Sequence, residues 1–242
     1  MPLTISCRPP ALLSDIQTRM RSLASPETAR ILQGFFKTGP GQYGEGDVFL
    51  GIRVPTIRSI AKEFPDAGLD TAVDLLHSRF HEERLLALLF LMSQFAAGNT
   101  HARQSAYQAY LENTQWINNW DLVDISAPHV PGAYLAEQSR APLYQLIRSP
   151  FLWERRIAMV ATFHFIRRND FDDALLLAKH LLNDPEDLMH KAGGWMLREV
   201  GKRDQKRLEL FLKQHGQLMP RTMLRYAIER FPEALRQSYL RR

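Results

Sequence analysis

The chain has 242 residues, 45% of them hydrophobic and 24% charged, an ordinary globular composition that excludes wholesale disorder and leaves room for a sizeable core in one or two domains. One cysteine, Cys7, excludes an internal disulfide framework and a cysteine-based zinc site, and no apolar run approaches the ~20 residues that cross a bilayer. Thirty-one Lys and Arg against 26 Asp and Glu leave a net charge of +5.

The first ten residues, MPLTISCRPP, lack a continuous apolar segment and read as neither secretion signal nor anchor. The expectation is a soluble, cytoplasmic protein with no membrane partner, in which Cys7 is idle. Pro26 stands where a helix should begin, as do Pro150 and Pro185 further on. Thr38–Gly46, with Pro40 and the glycines 39, 41, 44 and 46, is the one clear irregular loop. It lacks the Lys-Ser/Thr of a phosphate-binding loop and reads as a connector. His77 and His81 are one helical turn apart, but HSRFHEE lacks the HExxH order, so no metal is expected there. Helical spacing of apolar residues marks Glu82–Ala96, Trp153–Arg167, Asp173–Leu182 and Met219–Phe231, and no useful stretch alternates in the strand manner. One continuous all-α domain over residues 1–242 is expected.

The charge is lopsided. Residues 1–147 hold 12 Lys/Arg and 14 Asp/Glu, a net of −2, whereas residues 148–242 hold 19 and 12, a net of +7. Lys191, Arg198, Lys202, Arg203, Lys206 and Arg207 concentrate the excess. A basic half of this kind is the electrostatic footprint of a protein that meets polyanions such as nucleic acid, or else a solvated Arg-rich helical face.

A period emerges when HEERLLALLF is set around Arg84, NNWDLVDISA around Trp120, WERRIAMVAT around Arg156 and HKAGGWMLRE around Ala192, each anchor 36 residues after the last. Two helices per repeat of this length is the pattern of a HEAT-like α-solenoid, whose stacked helices line one surface, often concave. Positions 0, +3 and +4 from each anchor share a helix face. That face presents Trp120 and Asp124, then Arg156, then Trp195, with Arg198 one turn beyond. Each has a plainer role open to it: the tryptophans as core, Asp124 with Arg156 as an ion pair tying repeats together, and Arg198 as part of a solvated face. The shared register favours a binding strip, because a core does not require its polar and aromatic members to fall in step.

The blocks YGEGDVFLGIRVPTIRSIAK (43–62), NNWDLVDISAP (118–128), LWERRIAMVATF (152–163), HKAGGWMLREVGKR (190–203) and MPRTMLRYAIERF (219–231) together resemble the DNA alkylation repair family, the HEAT-like-repeat DNA glycosylases of the AlkD type. The resemblance implies an α-solenoid with a curved, basic concave surface. By position it places the family's first tryptophan on Trp120, its catalytic aspartate on Asp124, its phosphate-facing arginine on Arg156 and its second tryptophan on Trp195. Arg198, Lys202 and Arg203 follow as further backbone contacts. Asn119 departs from the pattern, standing where some active members carry another Trp.

The implied substrate is duplex DNA bearing a cationic N3- or N7-alkylated purine. Such a base is already a good leaving group, so the task left is to stabilise an oxocarbenium-like sugar, as in glycoside hydrolysis. By this resemblance Asp124 supplies negative charge, the indoles of Trp120 and Trp195 face the deoxyribose, and the base stays stacked instead of flipping into a pocket. A monomer without metal or organic cofactor is implied. Two other classes stay open: a non-catalytic binder of damaged or branched DNA, and a protein–protein scaffold.

Overall fold

The computed structural model describes residues 10–241; Cys7 lies outside them. Among the described residues the chain is all-α, and one isolated parallel bridge joins Val48 to Phe80. It divides into two compact units, Met1–Leu122 and Val123–Arg242.

The first unit holds α1 (Pro10–Ser22), α2 (Pro26–Phe35), α3 (Val54–Glu63), α4 (Leu69–Leu76), α5 (His81–Ala97) and α6 (Thr100–Glu112). Ser25 caps α2 by accepting from Thr28 N at 3.3 Å, with Pro26 as the first helical residue. Leu85, Leu86, Leu88 and Leu91 of α5 are buried with Leu75 and Leu76 of α4 and Ile57 and Ile60 of α3. The first turn of α5 is buried too, although it reads His-Glu-Glu-Arg. Its Glu82 carboxylate accepts from Leu50 N (2.8 Å), Gly51 N (2.8 Å) and Ile52 N (3.1 Å), satisfying backbone donors that have no helix or strand to bond them. Gly51 there has φ +84°, and a Cβ would run into the Ser25 carbonyl and lie 2.7 Å from Ala29 N, so only glycine lets this segment lie against α2.

A seventh helix, α7 (Trp120–Ser126), starts at the end of the first unit and runs into the second. The second unit continues with α8 (Pro131–Leu135), α9 (Ala141–Leu146), α10 (Leu152–Ala161), α11 (Phe163–Ile166), α12 (Asp172–His180), α13 (Asp187–Arg203), α14 (Gln205–His215), α15 (Arg221–Ala227) and α16 (Glu233–Leu240). Helix α13 is its hub, packing on α10, α12, α14 and α15. Gly193 and Gly194 permit the α15 approach: a Cβ on Gly194 would meet Met223 O and Tyr226 Cβ at 2.5 Å. The expected Trp153–Arg167 helix is broken at Thr162, whose hydroxyl donates to Met159 O at 2.6 Å and competes for a helix carbonyl. Met219–Phe231 shortens to Arg221–Ala227: Pro220, in extended geometry, stands as the residue before the first turn, and Ile228 (ψ 7°) leaves helical geometry at the other end. Pro150 and Pro185 stand two residues before α10 and α13, in the turns leading in.

Those turns carry the repeat. Phe80 N donates to Ser78 Oγ (3.0 Å) while Arg84 Nη1 donates to Ser78 O (2.9 Å). Phe151 N and Arg155 Nη1 do the same to Ser149 at 3.0 Å each. Glu186 N bonds Asp184 Oδ1 (3.0 Å) and His190 Nε2 bonds Asp184 O (2.6 Å). The motif recurs at Ser78, Ser149 and Asp184, 71 and then 35 residues apart. The structural counterpart of Arg84 is therefore Arg155, one residue before the position that the spacing of 36 selects. Arg155 closes the turn and pairs with Asp184 at 2.7 Å. Arg156 is left for a different partner.

Candidate active site

In the second unit that partner is Asp124. Arg156 on α10 donates from Nε to Asp124 Oδ1 and from Nη2 to Asp124 Oδ2, both at 2.9 Å. Its Nη1 donates to Leu188 O, in the first turn of α13, at 2.7 Å. This is a fork-on-fork arrangement, the strongest geometry open to a guanidinium and a carboxylate. Arg156 is 5% exposed, whereas the Asp124 side chain keeps 19% of its surface. The carboxylate is thus the more accessible end of the pair, with the guanidinium behind it. Arg156, expected against phosphate, has its donors directed inward to Asp124 and Leu188.

Trp195 lies mid-way along α13, its ring tilted against Phe163 of α11 with centroids 5.8 Å apart. Its Nε1 donates to Glu199 Oε1 at 3.2 Å, one turn on. Glu199 also accepts from Lys202 Nζ at 2.7 and 2.9 Å, and Arg198 Nε lies 3.6 Å away. Arg198 pairs with Glu229 as well, and Arg203 donates to Asn169 Oδ1 at 3.1 Å. The basic stretch is therefore interleaved with carboxylates. Arg198, Lys202 and Arg203 follow one another on α13, with Lys202 and Arg203 exposed and Arg198 half-buried.

In the first unit Trp120 opens α7 half-buried against α2. Its ring stacks on Phe36 at 5.3 Å and meets the exposed Phe35 edge-on at 6.0 Å. Phe36 in turn stacks on Phe49 (5.1 Å) and lies 5.0 Å from the His81 ring. Asn119, the departure from the family pattern, is fully buried. It accepts from Trp120 N at 2.9 Å and donates to Asp47 Oδ2 at 3.1 Å. Asp47 also pairs with Arg84 and with His81 Nδ1 at 2.9 Å, while His81 Nε2 bonds Asp121 Oδ2 at 2.8 Å. Both imidazole nitrogens face carboxylates, so both carry protons.

Burial alone would push the His81 pKa down, but Asp121 and Asp47 outweigh it and raise it to about 9. Burial likewise pushes Asp47 up, and its bonds from His81, Arg84 and Asn119 bring it below the ordinary value. The raised His81 pKa means that the folded state holds a proton that the unfolded chain releases near 6.5. Its stabilisation is full below pH 6.5 and is lost as pH rises through about 9. Thermal melts are expected to show stability falling between those limits by a few kcal/mol, since each tenfold gain in proton affinity on folding is worth ~1.4 kcal/mol. His81→Gln should flatten that slope, and an equal slope in the variant would contradict this.

Of the residues singled out in the sequence, Asp124 and Arg156 are brought into direct contact, Trp195 joins Lys202 and Arg198 through Glu199, and Trp120 sits in an aromatic stack. His77 and His81 engage separate partners, since His77 Nε2 lies 2.5 Å from Asn113 Oδ1. Asp47, Asp121 and Glu199 were missed, and His81 was weighed only as a metal ligand. The His81 partners are 34 to 40 residues away and leave no local mark, whereas Glu199 lies one turn from Trp195 and from Lys202, a spacing that helical periodicity could have flagged.

The family model described as DNA alkylation repair enzyme matches residues 16–231. No curated protein matches the chain. A solved structure described as a predicted DNA alkylation repair enzyme from Enterococcus faecalis is similar with a TM-score of 0.67 and 18% identity, over 87% of this chain and 97% of that one. At that identity the likeness establishes a shared fold, the all-α, HEAT-like one that the repeat requires. Matched from α1 to the loop before α16, the chain belongs to the DNA alkylation repair enzyme family.

Proposed function

We propose that the protein is a monofunctional DNA glycosylase that releases cationic N3- and N7-alkylated purines from duplex DNA and leaves an abasic site. The observation that carries this reading is the Asp124–Arg156 pair. Arg156 fixes the orientation of the carboxylate through two bonds, while greater exposure on the Asp124 side lets an approaching cation lie nearer the negative charge than the positive one. Such a preorganised charge suits a sugar that becomes oxocarbenium-like as the base departs. Trp120, one turn before Asp124 on α7, and Trp195 on α13 supply indole faces for the deoxyribose. The leaving base carries its own positive charge, so no acid is needed to protonate it, and the water that completes hydrolysis is oriented by Asp124. No cofactor takes part.

Lys202, Arg203 and Arg198 serve as phosphate contacts. Log affinity for undamaged duplex should fall linearly with log salt, by roughly 0.9 per phosphate neutralised. Titrations at several salt concentrations are expected to show a shallower slope for Lys202→Ala and Arg203→Ala and an unchanged slope for Arg156→Ala. Affinity insensitive to salt would point away from DNA and towards the scaffold reading.

A second reading has one observation in its favour. The closed Asp124–Arg156 pair, bonded on to Leu188, also serves as a tie between α7, α10 and α13, and a DNA binder without excision activity would keep it for that alone. Incubating the protein with a duplex carrying one N7-methylguanine and then cleaving abasic sites with alkali separates the two. Scission at the lesion is expected; a strand left intact in saturated complexes would support the binder.

A further inference from the structure

We infer that His81, held between Asp47 and Asp121, is a positioning residue for Trp120, setting the angle at which that indole is presented. The inference rests on the glycosylase reading for its catalytic consequence but not for its structural content, and all the groups involved lie in the first unit.

Trp120 is the first residue of α7, where a helix has unsatisfied N–H groups and is prone to fray. Two polar arms hold that end. In one, Asp47 accepts from Asn119 Nδ2 at 3.1 Å, and Asn119 Oδ1 takes the Trp120 N–H at 2.9 Å. In the other, His81 Nε2 donates to Asp121 Oδ2 at 2.8 Å, the residue just after Trp120. His81 Nδ1 donates to Asp47 at 2.9 Å and so joins the arms. A third connection is apolar: the His81 ring stacks on Phe49 at 4.5 Å and lies 5.0 Å from Phe36, the ring on which Trp120 stacks. Trp120 is thus flanked in sequence by two residues tied to His81 through carboxylates, and its ring rests on one that His81 touches.

The charges balance within the cluster. His81 and Arg84 face Asp47 and Asp121, and His81, Arg84 and Asp47 are buried. Burying a set of this kind is costly in desolvation, and apolar residues would stabilise a core at least as well. What it supplies is direction: hydrogen bonds fix orientation in a way that apolar contacts do not. A site that must hold an aromatic face against a sugar requires that, since a displacement near 1 Å costs roughly a hundredfold in rate.

The test uses the full-length protein and two variants, His81→Gln and Asp121→Ala. The second removes only the Nε2 arm, at a position with 17% of its side chain exposed, and so keeps the question open should His81→Gln fail to fold. The first readout is the Trp120 indole N–H resonance, assigned by its loss in Trp120→Phe. It is expected to shift and broaden in both variants while those of Trp153 and Trp195 stay in place. The second is a double-mutant cycle on single-turnover release of N7-methylguanine. Each variant should slow release roughly ten- to a hundredfold in the wild-type background and have no further effect once Trp120 is Ala. An unmoved Trp120 resonance in a folded variant, or a full additional loss in the Trp120→Ala background, would overturn the inference. Absence of any base release by the wild type would sink the glycosylase reading instead, and the resonance would still decide the positioning.

Discussion

Replacing Asp124 with Asn is expected to lower the rate of N7-methylguanine release by about two to three orders of magnitude, the ~3 to 4 kcal/mol scale of a lost electrostatic contact in a transition state. The substitution keeps the shape of the side chain and removes the charge. DNA affinity should hold or rise, because a carboxylate beside phosphates repels them before the reaction begins. The geometry adds a cost that shape alone does not suggest. Arg156 presents N–H donors to both Asp124 oxygens at 2.9 Å, and an Asn amide turns its own donor towards one of them. A modest fall in melting temperature should therefore accompany the loss of activity. A pair that is only a structural tie predicts the reverse, a large fall in melting temperature with no catalytic effect to measure. Single-turnover kinetics and a thermal melt on the same variant distinguish the two, and full release by folded Asp124→Asn would remove the carboxylate from the mechanism.

Arg156→Ala should be the more damaging change to the fold. It leaves the Asp124 carboxylate without its guanidinium and removes the bond to Leu188 O at 2.7 Å. Breaking a buried pair from one side costs about 3 to 5 kcal/mol, which in a chain of this size lowers the melting temperature by on the order of 10 °C. Activity should fall with it, through kcat more than KM, because the aspartate loses its orientation while the phosphate contacts remain. Arg156→Lys keeps the charge but cannot make the two-armed contact, and its melting temperature should lie between those of wild type and Arg156→Ala. A variant that melts normally and instead shows the shallower salt slope of a lost phosphate contact would return Arg156 to the phosphates.

What the sequence made legible follows from what is local or periodic. Helical spacing found the helical class, and the 36-residue comparison set Asp124 and Arg156 on one strip, where they do meet, although the recurring turn puts Arg155 in register. The ends of helices were less legible. Thr162 interrupts what the apolar pattern extends to Arg167, since a hydroxyl that bonds a backbone carbonyl leaves no trace in hydrophobicity. Register was displaced by one residue for a similar reason. Two arginines stand side by side at Arg155 and Arg156, and only the hydrogen bonds show that the first closes the turn while the second reaches Asp124. The His81 cluster was hidden altogether. HEER entered only as the anchor of one repeat and His81 only as a rejected metal ligand, and the folded chain alone brings Asp47, just after the glycine-rich loop, and Asp121 of α7 to the imidazole. Asn119, met as a departure from a family pattern, proves to be the buried cap on the residue that follows it.

Whether the glycosyl bond is broken decides between an enzyme and a binder. The direct measurement is chromatographic detection of free N7-methylguanine from a duplex carrying a single lesion, with protein in excess over DNA. The glycosylase mechanism predicts release of the base in step with the appearance of one abasic site per duplex. Saturated binding of the same duplex with the base still attached would contradict it.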